Sequence, residues 1–408
     1  MIAGRMADAA TVMQRCDALA RCSEEASRLT RRFATPALAQ ARDLVAGWMA
    51  GAGLEVAVDA LGNLRGRRDG PGPALLLGSH LDSVVDAGRY DGPLGVLAAV
   101  AVAERVRDVA LPFALEVHAF ADEEGTRFGT GFLGSSLLAG RFDAAWPALR
   151  DRDGVTLADA VRAWGGDPDV LPTLPARNPA DLLGYLEVHI EQGPALEAAD
   201  RPVGVVAAIA GQTRARVAFG GRAAHAGTTP MALRRDALAG AAEWVVGVEV
   251  AGRVTDGLVA TVGELHVEPG APNVVPGEVR ASLDVRHADD AVREATVEAL
   301  RSRTAAIAQD RGLAVDWQVV QATGAVPCDP TLTAGLEAAA REAGAPDVPR
   351  LVSGAGHDAV MLAGVTPVAM LFVRCAGGVS HHPDEAVAEA DVAVALDVAE
   401  RVVRGLAA

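Results

Sequence analysis

The sequence has 408 residues, more than one ordinary hydrophobic core supports, which predicts two domains. Half of the residues are hydrophobic and 22% are charged, a balance typical of globular chains and not of disordered ones. The formal net charge of −16 argues against nucleic acid or an anionic membrane as a partner. A negatively charged substrate would therefore need a local basic group.

Cysteine content and hydropathy point to a compartment. The cysteines at positions 16, 22, 328 and 375 form no CxxC pair and are too sparse for a disulfide scaffold. The sequence contains no run of about 18 uncharged apolar residues, and its first residues lack the continuous apolar core of a signal peptide. We therefore expect a cytoplasmic protein without a membrane span.

Strands and helices alternate through most of the chain. Predicted helices cover residues 36–49, 94–106 and 391–404, and predicted strands cover residues 74–78, 113–121, 185–190 and 367–373. Runs such as ALLLG and VAMLFV are typical of strands that are covered on both faces in a parallel sheet. We predict an α/β catalytic domain with a mixed, mostly parallel sheet.

The middle of the chain has a different pattern. Polar and apolar side chains alternate in residues 213–219, 279–286 and 314–321. This period of two indicates half-exposed strands of an antiparallel sheet. Helical stretches are predicted at 232–246 and 289–309, and Asp289 is placed to cap the second.

These patterns give the predicted domain boundaries. A smaller α+β domain over residues 212–326 is inserted into a catalytic domain that comprises residues 1–211 and 327–408. Residues 163–182 contain four prolines and are predicted to form an exposed loop.

Side chains that can hold a metal recur just after the predicted strands of the catalytic domain. They are His80, Asp82, Asp91, Asp122, Glu123, Glu124, His189 and His381. Because ligands of open parallel sheets bind beyond the carboxyl ends of the strands, we expect these residues to converge on one crevice. Mixed imidazole and carboxylate ligands suit Zn²⁺, Mn²⁺ or Co²⁺ better than Ca²⁺.

The number of candidate ligands indicates more than one ion. Five ligands, the three histidines and two of the acids, exceed what one tetrahedral ion needs and match two ions that share a carboxylate. Such a pair lowers the pKa of a bound water and polarises a carbonyl, while a carboxylate outside the ligand set can transfer the proton to a leaving nitrogen.

Individual residues keep ordinary alternatives. His80 alone could be a structural histidine, and Glu123 with Glu124 could be an acidic pair at the start of a helix. For His118, which lies in the middle of a predicted strand, we expect a role in core packing.

Eight segments together resemble the M20 metallopeptidase superfamily and, within it, the amidase/hydantoinase/carbamoylase branch. In chain order they are GSHLDS (78–83), YDGPLGVL (90–97), ADEEGTRF (121–128), EVHIEQGPALE (187–197), GRAAHAGTTPM (221–231), PNVVPGEV (272–279), SGAGHDA (353–359) and GGVSHHP (377–383). The resemblance extends over nearly the whole chain.

The resemblance implies two divalent metal ions per subunit, zinc or manganese. Their implied ligands are His80, Asp91 as the bridging carboxylate, Glu124, His189 and His381, with His382 as an alternative to His381. Glu123 resembles the general base. Asp82 would orient His80 through the second ring nitrogen.

The resemblance also implies how the substrate is held. The inserted domain resembles a lid that forms a homodimer contact, from which His225 reaches the partner's site and stabilises the oxyanion. Asn273 and Arg286 match lid residues that bind the substrate carboxylate, while Gln192 and His357 match substrate contacts of the catalytic domain. A cross-strand salt bridge is the structural alternative for Arg286.

The branch hydrolyses ureido or amide C–N bonds of small acids. Residues 203–217 and 370–383 resemble allantoate amidohydrolases more than carbamoylases, and Gln212 would offer a polar contact to a substrate with two ureido groups. We expect conversion of allantoate to ureidoglycine, ammonia and CO₂. N-carbamoyl-L-amino acids and 3-ureidopropionate are the alternative substrates.

Other classes fit less well. A serine hydrolase would need a GxSxG elbow after a strand, and the sequence has none. A non-catalytic binding protein would be indicated by loss of a ligand or of the base, and all of them are present. The segments HIEQ and HAGTTPM argue against a plain dipeptidase.

Overall fold

The computed structural model describes residues 8–407. Its helices are α1 (Ala9–Ala20), α2 (Pro36–Gly51), α3 (Pro93–Arg105), α4 (Leu133–Leu138), α5 (Leu157–Ala163), α6 (Ala195–Ala198), α7 (Ala237–Val254), α8 (Asp290–Arg311), α9 (Pro330–Glu342), α10 (Ala359–Leu362) and α11 (Glu389–Gly405). Within this part of the chain, no helix combines the length and the hydropathy needed to span a bilayer.

Sixteen strands alternate with these helices in the described residues. They are β1 (Glu55–Val58), β2 (Leu64–Arg68), β3 (Ala74–His80), β4 (Ala114–Phe120), β5 (Leu182–Ile190), β6 (Val203–Ile209), β7 (Gly211–Gly220), β8 (Ala224–His225), β9 (Val259–Thr261), β10 (Leu265–Glu268), β11 (Val274–Val275), β12 (Glu278–His287), β13 (Ala314–Thr323), β14 (Val326–Pro327), β15 (Arg350–Ser353) and β16 (Val368–Val373).

The chain divides into two compact units. Ala208–Pro327 form the second unit, and the described residues on either side of it form the first. The sequence patterns placed the inserted domain at 212–326, within the limits of the second unit.

The first unit is built on eight strands of one mixed sheet. Their order is β1-β2-β4-β3-β5-β16-β6, with β15 paired to β6. The four central strands β4, β3, β5 and β16 are parallel, and the outer pairings are antiparallel. Every residue of β3, β4 and β16 is buried, as expected for strands covered on both faces. This sheet confirms the predicted fold class.

The parallel strands bring distant segments to one edge of this sheet. His80 is the last residue of β3 and lies opposite Phe120, which ends β4, while His189 on β5 lies opposite Phe372 on β16. The segments that follow β3, β4, β5 and β16 therefore start at the same edge. These are the segments in which the sequence placed the metal-ligand candidates.

The second unit is a five-stranded antiparallel sheet with two long helices. The strand order is β10-β12-β7-β13, with β9 paired to β12. Buried and more exposed residues alternate along β7 and β12, as the sequence period predicts. The buried face packs with α7 and α8 around Phe219 and Trp244.

The predicted helices exist, although one was misplaced. Asp289 caps α8 by accepting the N–H of Ala291, as expected. Helix α7 begins at Ala237 and ends at Val254, whereas the prediction was 232–246. The start differs because Asp236 accepts the N–H groups of Leu238 and Ala239 and so fixes the N-terminus there.

A buried carboxylate supports the middle of the first sheet. Glu116 on β4 is fully buried and makes ion pairs with Arg67 and Arg177. His118 places Nε2 2.8 Å from Glu116 Oε2. Burial alone would raise the pKa of Glu116, but the hydrogen bonds from His118 and Arg177 hold its pKa below the ordinary value.

We expect Glu116→Gln to lower the free energy of unfolding by about 2 kcal/mol at pH 7, because it leaves partly exposed guanidinium groups without their carboxylate. A lowered folded-state pKa stabilises the fold above the ordinary glutamate pKa of about 4.3, and this contribution is lost as the pH falls below it. The difference between wild type and variant should therefore shrink between pH 5 and pH 3. Urea unfolding of both proteins at several pH values measures this difference in unfolding free energy. A difference that does not change with pH would contradict the lowered pKa of Glu116.

Candidate metal centre

Three imidazole rings converge on one carboxylate. His189 Nε2 is 3.2 Å and His80 Nε2 3.6 Å from Asp91 Oδ1, while His381 Nε2 is 3.1 Å from Asp91 Oδ2. Asp91, His80 and His189 are buried, whereas half of the His381 side chain is exposed. The two oxygens of Asp91 thus face different histidines.

The hydrogen bonds of the His80 and His189 rings show which ring nitrogen is available to bind a metal. His189 Nδ1 is 2.9 Å from the carbonyl oxygen of Ile190, and His80 Nδ1 is 3.2 Å from that of Asp82. These contacts assign the ring hydrogen to Nδ1 and leave a lone pair on Nε2. Among residues 8–407, nothing forms a hydrogen bond with the buried Nε2 of His189. A lone pair that faces a carboxylate calls for a cation between them, so these residues fit a metal ion.

Four groups of side chains in the described residues could hold an ion. They are His80 with Asp91 and His189, Asp91 with Glu124 and His381, His80 with Glu123 and Glu124, and Glu187 with His189 and His357. In each group the ligand atoms lie within 4.8 Å of one another. The first two groups share Asp91 and together contain the five ligands that the sequence predicted.

The start of α3 brings Asp91 close to His80. Gly92, with φ of +82°, precedes Pro93 at the first position of the helix. A Cβ atom at Gly92 would lie 2.5–2.6 Å from three atoms of the His80 ring. The ring therefore lies against bare backbone, and only glycine tolerates both the contact and the positive φ.

Asp82 connects His80 with the acidic pair. Its two carboxylate oxygens accept the N–H groups of Glu123 at 2.9 Å and of Glu124 at 3.1 Å. Asp82 Oδ1 also lies 3.4 Å from His80 Nδ1. Asp82 therefore fixes the backbone of both acids and contacts the ring of a candidate ligand, consistent with the orienting position expected for it.

The buried Arg31, which no sequence pattern indicated, holds the segment around Asp82. Arg31 Nε donates to the carbonyl oxygen of Leu81 at 2.6 Å, and the backbone N–H of Arg31 donates to Ser83 Oγ at 3.0 Å. Burial lowers the pKa of Arg31 to about 10, so it remains a cation at neutral pH. Leu81 and Ser83 are 50 and 52 residues away in the sequence, which is why no local pattern reveals these contacts.

The crowded carboxyl groups titrate far from their ordinary range. Burial and the nearby Asp91 raise the pKa of Glu124 to about 7, and burial raises that of Glu123 well above its usual value. The hydrogen bond with Asp91 raises the pKa of His381 to about 9. Burial opposes ionisation of Asp91, but the three histidine rings around it hold its pKa well below the ordinary value. The raised pKa values of Glu123 and Glu124 reflect burial and neighbouring carboxylates, and a bound cation would favour their ionised forms.

Two predicted substrate contacts lie beside this cluster. Gln192 Nε2 donates to Asp91 Oδ2 at 2.7 Å. The buried His357 ring lies 4.5 Å from the ring of His189, and its Nε2 is 2.7 Å from Ser353 Oγ. By contrast, His382 is exposed and contacts Asp384. The geometry thus brings His381, and not His382, to Asp91.

The second unit contains four of the residues predicted to contact the substrate, and they form two pairs: His225 with Asn273, and Gln212 with Arg286. His225 on β8 is exposed and pairs with Val274, and the carbonyl oxygen of Asn273 accepts the N–H of Ala226. His225 and Asn273 are therefore neighbours.

Gln212 and Arg286 lie directly opposite each other on β7 and β12. Both donate to Asp284, at 2.7 Å and 2.8 Å. The sequence analysis missed Asp284, although its spacing of two from Arg286 places both on one face of the strand.

Comparison with known proteins gives the family. The model of peptidase family M20/M25/M40 matches residues 76–405. An N-carbamoyl-L-amino acid amidohydrolase of Geobacillus stearothermophilus is 43% identical over 384 residues, which cover 93% of each protein. An allantoate deiminase of Arabidopsis thaliana is 40% identical over 413 residues, which cover 92% of this chain and 78% of the relative.

A solved structure agrees with these relatives. An amidase of the hydantoinase/carbamoylase family from Burkholderia multivorans has a TM-score of 0.92 and 34% sequence identity, with 98% of each chain covered. The agreement confirms the fold class and the resemblance drawn from the sequence motifs. The chain belongs to peptidase family M20/M25/M40.

Proposed function

We propose that this protein is a metal-dependent amidohydrolase that cleaves a ureido C–N bond of a small carboxylate, with allantoate as the substrate. Allantoate and water would yield ureidoglycine, ammonia and CO₂. The observation that carries the proposal is the convergence of three imidazole Nε2 atoms on Asp91. The allantoate deiminase and carbamoyl amino acid amidohydrolase relatives support the bond type.

Two divalent ions, zinc or manganese, would be held by the five predicted ligands. His80, Asp91 and His189 form one group, and Asp91, Glu124 and His381 form the other. When bound, such a pair lowers the pKa of water and polarises the ureido carbonyl.

Glu123 is the proposed general base. Asp82 fixes its backbone N–H at 2.9 Å, and burial raises its pKa well above the ordinary value. A carboxylate of raised pKa is the better acceptor of a proton from the attacking water, and the departing nitrogen, which is the stronger base, then takes that proton from Glu123. The terminal nitrogen leaves as ammonia, and the carbamate that remains loses CO₂.

The second unit is proposed to bind the substrate as a lid. Arg286 would pair with the substrate carboxylate, together with Asn273, and His225 would donate to the oxyanion. In support, Asp284 accepts hydrogen bonds from Gln212, Arg214 and Arg286, so two guanidinium groups share one carboxylate. This cluster is positive on a chain of net charge −16 and suits an anionic substrate. Gln192 and His357 would contact the substrate from the first unit.

A homodimer, in which His225 serves the partner's site, is part of the proposal. Its support is the outer face of α7, where Val246, Val250 and Val254 are 58%, 49% and 75% exposed. These valines recur every four residues and so form one apolar stripe. A stripe of this kind is typical of a helix that packs against another subunit.

N-carbamoyl-L-amino acids are the second candidate substrate. The Geobacillus relative, an N-carbamoyl-L-amino acid amidohydrolase, has the slightly higher identity of 43%. Gln212 favours allantoate, because a polar group near the ligand disfavours substrates that leave it unpaired.

A cytoplasmic location is also part of the proposal. All four cysteines are buried and unpaired. Free thiols are typical of proteins in reducing compartments.

Ammonia release from a substrate panel tests the proposed function. The panel contains allantoate, 3-ureidopropionate and N-carbamoyl-L-amino acids of several sizes, each with Mn²⁺ and with Zn²⁺. We expect allantoate to have the highest kcat/KM, and protein stripped with a chelator to be inactive until metal is restored. A clear preference for a bulky carbamoyl amino acid would reject the substrate but keep the chemistry, and no release from any compound would reject the function.

We expect Glu123→Gln to retain the fold and the bound metal but to lower kcat about a hundredfold to ten-thousandfold, because the amide cannot accept the proton. Steady-state kinetics and metal analysis of the same preparation measure both quantities. Near-normal turnover in the variant would remove Glu123 as the base.

We expect Gly92→Ala to weaken metal binding at least about tenfold, because the new methyl group displaces the His80 ring. Gly154→Ala is the matched control: Gly154 has the same φ of +82° but nothing within 4 Å of an added Cβ. Metal titration of both apoproteins measures the difference. Equal losses in the two variants would show that backbone strain, and not the contact with His80, is responsible.

A further inference from the structure

Glu385 is a buried acid that lies four residues after His381. Its Oε1 accepts the N–H of Tyr90 at 2.8 Å and that of Asp91 at 3.2 Å. Only 3% of Glu385 is exposed. One carboxylate thus joins the segment that carries His381 to the backbone of Asp91, across almost 300 residues of sequence.

A second contact reaches the Asp91 side chain. Ser380 Oγ lies 3.0 Å from Glu385 Oε2 and 2.9 Å from Asp91 Oδ2. This is the same oxygen of Asp91 that His381 Nε2 approaches to 3.1 Å. Glu385 therefore contacts the backbone of Asp91 directly and its carboxylate through one hydroxyl group.

The packing leaves Glu385 little freedom. A Cβ atom at Gly88 would lie 2.3–2.4 Å from the Cβ, Cδ and Oε1 atoms of Glu385. The carboxylate therefore lies directly against the bare backbone of Gly88. In the described residues, Glu385 is not a member of any group placed to hold a metal. Its contacts are those of a residue that positions ligands and does not bind the ion itself.

We propose that Glu385 is a positioning residue that fixes the His381 segment against Asp91 and so sets the affinity of the ion held by Asp91, Glu124 and His381. The inference rests on the proposed metal centre. The ion held by His80, Asp91 and His189 depends less on Glu385, because Asp91 is the only one of these three ligands that Glu385 contacts. Removal of the Glu385 carboxylate should therefore selectively lower the affinity for the ion that His381 holds.

The comparison of Glu385→Ala with Glu385→Gln separates hydrogen bonding from charge. In the glutamine variant, the amide oxygen takes the place of Oε1 and accepts the same two N–H groups. The amide nitrogen takes the place of Oε2 and donates to Ser380 Oγ, whose own hydrogen remains available to Asp91. Glutamine therefore preserves every contact that alanine removes.

The experiment titrates metal-free full-length protein with Mn²⁺ alone, by calorimetry, and counts bound ions per subunit. We expect the alanine variant to bind its weaker ion about tenfold to hundredfold less tightly than wild type. The glutamine variant should match wild type within about threefold. Glu116→Gln is the control. It removes a different buried carboxylate, on β4, and should lower the stability of the fold without changing the affinity for either ion.

Each outcome decides between the proposals. If wild type binds no ion, the proposed metal centre itself is rejected. If wild type binds two ions and the alanine variant binds both equally well, or the glutamine variant is as impaired as alanine, the role of Glu385 is rejected. If the alanine variant does not fold, Gly88→Ala replaces it, because the added methyl group pushes Glu385 from its position. Undiminished metal binding by a folded Gly88→Ala variant would also overturn the inference.

Discussion

The site depends on the approach of three histidine rings to the buried carboxylate of Asp91. Three imidazole nitrogens lie within 3.6 Å of its oxygens: His80 ends β3, His189 lies near the end of β5, and His381 follows β16. A carboxylate in this position is unfavourable without cations, since burial opposes its charge. The parallel sheet supplies the geometry, because its central strands all end at one edge.

The supporting contacts of the first unit join segments that are distant in sequence. Asp82 holds the backbone of the acidic pair, Arg31 holds the segment around Asp82, and Glu385 holds the backbone of Asp91. Each of these is a side chain that binds main-chain groups of another loop. Loops without such contacts vary in position, whereas the ligands of a metal must be placed within a few tenths of an ångström. The loops of this edge are therefore fixed by buried polar groups.

The sequence predicted seven of the sixteen strands and five of the eleven helices in the described residues, together with the five residues that gather around Asp91, because hydrophobic periodicity and the motifs are local signals. It missed the contacts of Arg31 with Leu81 and of Glu385 with Tyr90, which join residues that are 50 and 295 positions apart. It misplaced α7, since the residues before Ala237 are compatible with a helix and only the Asp236 cap excludes them. Local patterns thus identify the ligands but not the side chains that hold them in place.

The same edge of the sheet carries several features that are unfavourable on their own. Gln192 and His381 both have a φ of +56°, a conformation that costs non-glycine residues energy. Three further buried carboxyl groups, those of Asp122, Glu187 and Asp358, lie near the cluster, and burial raises the pKa of each. Unfavourable backbone and crowded acids persist only where the surrounding fold stabilises them. Cations bound at Asp91 would relieve the electrostatic part, so metal binding and the stability of this edge should be coupled.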